Sequence, residues 1–162
     1  MSDLKKLAEG ETAPTFTAAR DGGESVSLGD FAGKTVVLYF YPKDDTPGCT
    51  KEAIEFSGLL AEFEAQNAVI VGVSRDTVKK HENFRNKHDL KVVLISDVGG
   101  EITEDYGVWV EKSMYGRKYM GIERSTFLID RKGKIAQIWH KVKVSNHAAD
   151  VLQAVEALST AD

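Results

Sequence analysis

Three uninterrupted apolar runs dominate the hydrophobic pattern of the chain, at residues 35–40, 68–74 and 92–96. Each is rich in β-branched or aromatic residues, and none alternates between apolar and polar positions as a strand with one solvated face would. We therefore predict three strands that are buried on both faces. Such strands are typical of a parallel sheet that is covered by helices on either side.

Segments with helical periodicity separate and follow these runs. After the first run, apolar residues recur at i, i+3, i+4 and i+7 between Phe56 and Phe63, which predicts one apolar helix face. Further helices are predicted over residues 77–88, 101–106 and 146–158. Alternating strands and helices indicate the α/β class.

Antiparallel pairs are predicted near both ends of the chain. Residues 13–19 and 25–28 flank a turn that contains Gly22 and Gly23, and residues 126–130 and 134–142 flank Gly133. Residues 1–12 are polar and are expected to be a loose lead-in, whereas the pattern of residues 108–119 assigns no element. The predicted fold is a single α/β domain over residues 1–162, with a mixed central sheet, flanking helices and an N-terminal β-hairpin.

The one cysteine of the chain lies where the first buried strand gives way to a helix. Thr46 suits the N-cap and Pro47 the first helical position, so Cys49 falls in the first turn. Unpaired backbone N–H groups and the helix dipole favour a thiolate there, and the thiolate is the reactive form. A buried, inert cysteine is the alternative, but the polar and turn-forming neighbours of Cys49 favour the reactive interpretation.

Composition excludes several classes of function. Apolar residues make up 42% and charged residues 28% of the chain, as in soluble globular proteins. A net charge of −4 gives no electrostatic case for nucleic acid or an anionic membrane as partner. The start of the chain lacks the apolar segment of a signal peptide, and no apolar run is long enough to span a membrane. We expect a protein of the reducing cytoplasm.

The cysteine and histidine content predicts no metal site and no cofactor. A single cysteine excludes an internal disulfide and a cysteine-based zinc site. The four histidines show no spacing typical of metal ligands. We expect His81 and His88 to lie at the surface.

Several motifs together resemble the peroxiredoxins, thiol peroxidases of the thioredoxin fold, and among them the bacterioferritin comigratory protein, or peroxiredoxin Q, subfamily. The central motif is P-x-x-x-T-x-x-C within YFYPKDDTPGCT, and a second, RSTFLID, places Arg124 just ahead of a predicted strand. VGVSRDT and the segment around Trp109 extend the resemblance over nearly the whole chain.

The resemblance implies roles for particular residues. Cys49 corresponds to the peroxidatic cysteine, Thr46 to the residue that hydrogen-bonds the peroxide, Pro42 to a shield against water, and Arg124 to the cation beside the thiolate. Backbone N–H groups near Gly48 and Cys49 are expected to hold the peroxide oxygens at the helix N-terminus. The implied reaction is attack of the Cys49 thiolate on the O–O bond of hydrogen peroxide or an organic hydroperoxide, which yields a sulfenic acid.

Plainer interpretations of the supporting residues stay open at this point. Thr46 serves as an N-cap with or without a catalytic role, and Arg124 alone would suit a surface ion pair. Glu52 lies one helical turn after Cys49 and is either a partner of Arg124 or an ordinary surface acid. Trp109 either lines the mouth of the site or packs in the core.

The chain departs from the subfamily at the resolving cysteine. Members often carry a second cysteine five residues after the first or in the next helix, where this chain has Ile54 and Arg85. Recycling of a one-cysteine peroxidase then requires an external thiol: thioredoxin, glutaredoxin, a small thiol, or Cys49 of a second subunit. We expect a monomer or weak homodimer. The alternative function is a non-catalytic redox sensor that signals through a mixed disulfide.

Overall fold

Residues 7–161, the part of the chain that the computed structural model describes, form nine strands and five α-helices. The strands are β1 (Thr17–Arg20), β2 (Ser25–Ser27), β3 (Thr35–Phe40), β4 (Ala68–Ser74), β5 (Val93–Ser96), β6 (Trp109–Met114), β7 (Arg117–Ile122), β8 (Ser125–Ile129) and β9 (Ile135–Trp139). The helices are α1 (Pro47–Gly58), α2 (Leu60–Ala65), α3 (Val78–His88), α4 (Glu101–Asp105) and α5 (His147–Ala161), with a 3-10 helix at Leu28–Phe31.

Seven of these strands form one mixed sheet in the order β2-β1-β5-β4-β3-β8-β9. The central strands β3, β4 and β5 are parallel, and the pairs on either side of them are antiparallel. The α/β class, the mixed sheet and both predicted hairpins are therefore confirmed. The N-terminal hairpin lies at one edge of the sheet and β8–β9 at the other.

Two apolar cores cover the two faces of this sheet, and β3 contributes to both. Val37 and Tyr39 face the core that α1, α2, α3 and α5 complete, while Leu38 and Phe40 face the core that contains α4. All six residues of β3 are buried. This two-sided burial explains why the strand appears in the sequence as a continuous apolar run.

The predicted helix around Phe56 and Phe63 is divided in two. Helix α1 ends at Gly58, and the N–H of Leu59 donates to the carbonyl of Phe56 at 3.1 Å in a turn before α2 begins. Glycine is a weak helix former, so the helix ends there at low cost. Phe56 and Phe63 still pack in the same core, as the apolar periodicity predicted, but the prediction of a single continuous helix was wrong.

The unassigned segment 108–119 contributes to a two-stranded antiparallel sheet of β6 and β7. Its turn residues, Tyr115 and Gly116, both have positive φ, 52° and 78°. This is the backbone of a tight hairpin turn, in which glycine is favoured. Most residues of both strands are partly or fully exposed, which removes the apolar signal that identifies a strand in a sequence.

The expected loose lead-in is partly wrong. Residues 1–6 lie outside the described part of the chain. Beyond them, the N–H of Gly10 donates to the carbonyl of Ile135 at 2.8 Å, and the N–H of Ile135 donates to the carbonyl of Glu11 at 2.9 Å. Hydrogen bonds to β9 therefore fix residues 10 and 11. None of the helices within residues 7–161 is long and apolar enough to cross a membrane.

Candidate active site

Cys49 lies in the first turn of α1, beyond the carboxyl end of β3. The helix begins at Pro47, and Thr46 occupies the N-cap position with an extended backbone, φ −96° and ψ 155°. Both positions agree with the sequence prediction. The N–H groups of the first helical turn have no partner inside the helix, and the positive end of its dipole stabilises negative charge on a thiol placed there.

Arg124 reaches the same sulfur from the residue directly before β8, the antiparallel neighbour of β3. The register places Phe40 opposite Ser125, so Arg124 lies at the sheet edge from which α1 starts. Its Nη2 donates to Cys49 Sγ at 3.4 Å, and its Nη1 donates to Glu52 Oε1 at 2.7 Å. Burial lowers the pKa of Arg124, but the charges of Glu52 and Cys49 outweigh it and the net shift is upward. The guanidinium is therefore a permanent cation beside the sulfur.

Glu52 is a buried partner of Arg124 and not an ordinary surface acid. It is 1% exposed, and its Oε2 has no hydrogen-bond partner within the described residues. Burial raises the pKa of Glu52 to about 7, against the lowering effect of Arg124. Near neutral pH, Glu52 therefore exchanges a proton beside the guanidinium that also donates to Cys49.

Gly48 permits the close approach of Arg124 to the helix. A Cβ built on Gly48 would lie 3.1 Å from Nη2 of Arg124, the nitrogen that donates to the sulfur. Such a contact is tighter than van der Waals packing normally allows, so a side chain at this position would push the guanidinium aside. Any larger residue in place of Gly48 would therefore change the geometry around Cys49.

Cys49 is buried, which the sequence analysis did not expect. The residue is 1% exposed and belongs to the same core as Tyr39, Tyr41 and Phe56. The polar residues around it in the sequence form the loop before α1, whereas the helix turns the Cys49 side chain toward the sheet. The sulfur thus packs against apolar side chains of the core and also accepts a hydrogen bond from the charged side chain of Arg124.

The two remaining motif residues, Thr46 and Pro42, lie between β3 and α1, where Thr46 is half-buried and Pro42 is exposed. The Thr46 hydroxyl donates to the carbonyl of Lys43 at 2.9 Å, and among the described residues it accepts no capping hydrogen bond. Thr46 is therefore an N-cap by position and backbone, with an acceptor lone pair left for another donor. Pro42 is exposed, in the loop directly after β3.

Sequence reasoning missed an ionic contact behind the active-site loop. His81, which we expected at the surface, is 0% exposed, and its Nδ1 lies 2.6 Å from Asp44 Oδ2. The misjudgement has a physical cause, because only two apolar residues mark the buried face of α3 and His81 supplies part of that face. His88 is half-buried and lies 2.8 Å from Asp45 Oδ1.

Trp109 is half-buried and lies on the opposite face of the sheet from Cys49. Its ring packs against the core on that face, and the guanidinium carbon of Arg75 lies 3.4 Å from the ring centroid. This placement favours the packing interpretation over a site-lining one.

Lys112, three residues further along β6, is a residue near the site that was not identified from the sequence. Burial and then the charge of Arg124 lower its pKa, and the opposing charges of Cys49 and Glu123 do not reverse this shift.

Ile54 and Arg85 occupy the two positions at which the resemblance implies a resolving cysteine in other members. Ile54 is 47% exposed on α1. Arg85 donates from Nη1 to Asp21 Oδ2 at 2.6 Å and so ties α3 to the N-terminal hairpin. Cys49 is a free cysteine.

Comparison with known proteins identifies the family. The model of the AhpC/TSA family matches residues 10–138, well over half of the sequence. The chain therefore belongs to the AhpC/TSA family.

Individual relatives narrow the assignment within that family. Peroxiredoxin Bcp of Bacillus subtilis is 47% identical over 150 residues, which cover 93% of this chain and 96% of the relative. Peroxiredoxin Bcp of Xanthomonas campestris is 48% identical over 136 residues, 84% of this chain and 85% of the relative. Among solved structures, Xanthomonas campestris peroxiredoxin Q superposes with a TM-score of 0.85 at 46% identity, over 89% of this chain and 91% of that one. The chain is a peroxiredoxin of this Bcp, or Q, type, and the expected thioredoxin-like fold is confirmed.

Proposed function

We propose that this chain is a thiol-dependent peroxidase that reduces hydrogen peroxide and organic hydroperoxides through a sulfenic acid on Cys49. The observation that carries the proposal is the 3.4 Å hydrogen bond from Arg124 to a sulfur in the first turn of α1. A structure of the Xanthomonas campestris bacterioferritin comigratory protein, described in terms of alkyl peroxide reduction activity, matches this chain with a TM-score of 0.85 and 45% identity. That relative supports a hydroperoxide as the substrate.

The first step is a displacement at oxygen. The Cys49 thiolate attacks one peroxide oxygen, so that an S–O bond forms while the O–O bond breaks, and the departing oxygen takes a proton to leave as water or an alcohol. Arg124 donates to the sulfur, and this contact supports a role in stabilising the negative charge that develops on the peroxide oxygens. The Thr46 hydroxyl and the N–H groups around Gly48 are the proposed further contacts to the peroxide.

The second step reduces the sulfenic acid with an external thiol, because the chain has no second cysteine. The incoming thiolate attacks the sulfenic sulfur, so that an S–S bond forms while the S–O bond breaks, and the departing hydroxide takes up a proton to leave as water. A further thiol then reduces the mixed disulfide. Thioredoxin, glutaredoxin and small thiols of the cytoplasm are the candidate reductants. Since Cys49 is almost fully buried, access by a bulky thiol requires the first turn of α1 to open.

Steady-state peroxide consumption tests this proposal. The protein is mixed with hydrogen peroxide and each reductant in turn, and Cys49→Ser is the matched control because it keeps the side-chain size and removes the nucleophile. We expect repeated turnover in the wild type and none in the variant. Mass spectrometry after one equivalent of peroxide should show one added oxygen, and thiol treatment should then remove it.

The redox sensor is the second candidate, and the absence of a resolving cysteine is the observation that favours it. A sensor would oxidise once and form a stable mixed disulfide without sustained consumption of peroxide. One stoichiometric turnover with every reductant would thus support the sensor. No peroxide reaction at Cys49 would contradict both functions.

A further inference from the structure

Asp44 is held by three hydrogen bonds in the loop that leads from β3 to Cys49. Its Oδ1 accepts from the Tyr41 hydroxyl at 2.6 Å, and its Oδ2 lies 2.6 Å from Nδ1 of His81 on α3. Its backbone N–H donates to Asp76 Oδ2 at 2.8 Å. Asp44 and His81 are both buried. The loop is thus attached to α3 at Asp44, five residues before Cys49 in the sequence.

The geometry around His81 requires a proton on Nε2 and a second proton between Nδ1 and Asp44. Nε2 lies 2.9 Å from the carbonyl oxygen of Ile95, which can only accept, so Nε2 donates. Nδ1 would then carry a lone pair in a neutral ring, and a lone pair cannot face a carboxylate oxygen at 2.6 Å without a proton between them. A proton therefore lies between Nδ1 and Asp44 Oδ2, and it belongs either to an imidazolium or to a carboxylic acid.

The groups packed around His81 favour the imidazolium over the carboxylic acid. Burial lowers the pKa of His81, but the hydrogen bond and charge of Asp44, the Ile95 carbonyl and the charge of Asp76 outweigh it, so the net pKa is raised. The Tyr41 ring lies 6.5 Å away and brings no charge. A histidine whose folded pKa is raised stabilises the fold below its unfolded value, and that stabilisation is lost as pH rises through the folded value.

We propose that His81 is a positioning residue for the reaction of Cys49 with peroxide, acting through Asp44 to fix the loop from Asp44 to Thr46. The inference rests on the proposed peroxidase function and deepens it. His81 touches no reacting atom. It holds Asp44, the first residue of that loop.

The path from His81 to the reacting groups is short and continuous. Lys43, next to Asp44, offers the carbonyl that fixes the Thr46 hydroxyl at 2.9 Å. The first backbone bond of the helix runs from Thr50 N–H to the carbonyl of Thr46 at 2.8 Å. If Asp44 moves, both the hydroxyl proposed to bind peroxide and the start of the helix that carries Cys49 move with it.

Two amide substitutions of His81 separate its two hydrogen bonds. In His81→Asn, the short amide can donate only toward Asp44; in His81→Gln, the longer amide can reach the Ile95 carbonyl. We expect His81→Gln to reduce the second-order rate constant of Cys49 with hydrogen peroxide by about 10- to 100-fold, the scale of a misplacement near 1 Å. His81→Asn should recover most of that loss. The rate is measured in a single turnover of the full chain, well below the unfolding temperature of each variant.

His88→Gln is the matched control, since His88 lies on the same helix and bonds the next loop residue, Asp45, at 2.8 Å. That contact is solvent-exposed, so water replaces it, and we expect a rate within about twofold of the wild type. The pH profile supplies a readout that a merely structural role would not change. The wild-type rate should decline at alkaline pH as His81 loses its proton, and His81→Asn, which does not titrate, should lack that decline.

A folded His81→Gln variant that reacts at the wild-type rate would overturn the inference, and so would an equal loss in His88→Gln. If His81→Gln does not fold, Asp44→Asn removes the charge with little change of shape, and an unchanged rate in that variant has the same meaning. A wild-type chain that does not react with peroxide would instead refute the proposed function, and this inference with it.

Discussion

Replacing Arg124 is the most direct test of the charge arrangement around Cys49. Arg124→Met keeps the length of the side chain but removes the donors at 3.4 Å from the sulfur and 2.7 Å from Glu52. Loss of one donor to charge that develops in a transition state costs about 2.7–4 kcal/mol, which is a factor of about 10² to 10³ in rate. We expect a loss of this size in the rate constant for peroxide. Arg124→Lys, which keeps the charge but not the fork of donors, should lose about tenfold.

The effect on stability should be smaller than the geometry first suggests. Removing one partner of a buried ion pair costs about 3–5 kcal/mol when the other charge is left uncompensated. Glu52 avoids that state by taking up a proton, because its pKa is already raised to about 7 by burial. We therefore expect Arg124→Met to lower the free energy of unfolding by less than this range at pH 6. The loss at pH 8 should be larger than the loss at pH 6.

Stopped-flow measurement of sulfenic acid formation, together with urea unfolding at both pH values, provides the assay. Arg117→Met, at an exposed arginine of β7, is a control for the loss of a positive charge elsewhere on the molecule. If Arg124→Met reacted with peroxide within about threefold of the wild type while Cys49→Ser was inert, Arg124 would have no electrostatic role. The same stability loss at both pH values would refute the account of Glu52.

Three further predictions concern Glu52 and the packing beside the site. The folded pKa of Glu52, about 7, lies above the ordinary 4.5, so its contribution to stability is complete below pH 4.5 and is lost as pH rises through 7. Because Glu52→Gln does not titrate, its melting temperature should rise relative to that of the wild type between pH 5 and 8. A constant difference in melting temperature would contradict this account. Gly72→Ala should lower the free energy of unfolding by about 1–3 kcal/mol, since its Cβ would lie 2.8 Å from the Tyr39 ring; thermal melts with unchanged stability would show that the ring moves freely. Tyr39→Phe should be neutral or stabilising in urea unfolding, because the buried Tyr39 hydroxyl has no partner among the described residues; a loss above about 1 kcal/mol would indicate a hidden partner.

Much of this protein was determined by local sequence. The strands β3 and β4 begin and end where their apolar runs do, since burial on both faces leaves an unbroken signal in the sequence. The start of α1 followed from Thr46 and Pro47, whose backbone preferences act without help from distant residues. The position of Cys49 at a helix N-terminus, and with it the candidate nucleophile, was therefore available from the sequence.

Other features were decided only by tertiary contacts. The bond from Arg124 to Cys49 joins residues 75 positions apart, and the burial of Glu52 beneath Arg124 depends on the register of β8 against β3. The burial of His81 depends on how α3 packs over the active-site loop, 37 positions earlier in the chain. A sequence pattern records which residues prefer burial or a given backbone conformation. It does not record which charged groups are brought together when water is excluded, and that decides the chemistry of this site.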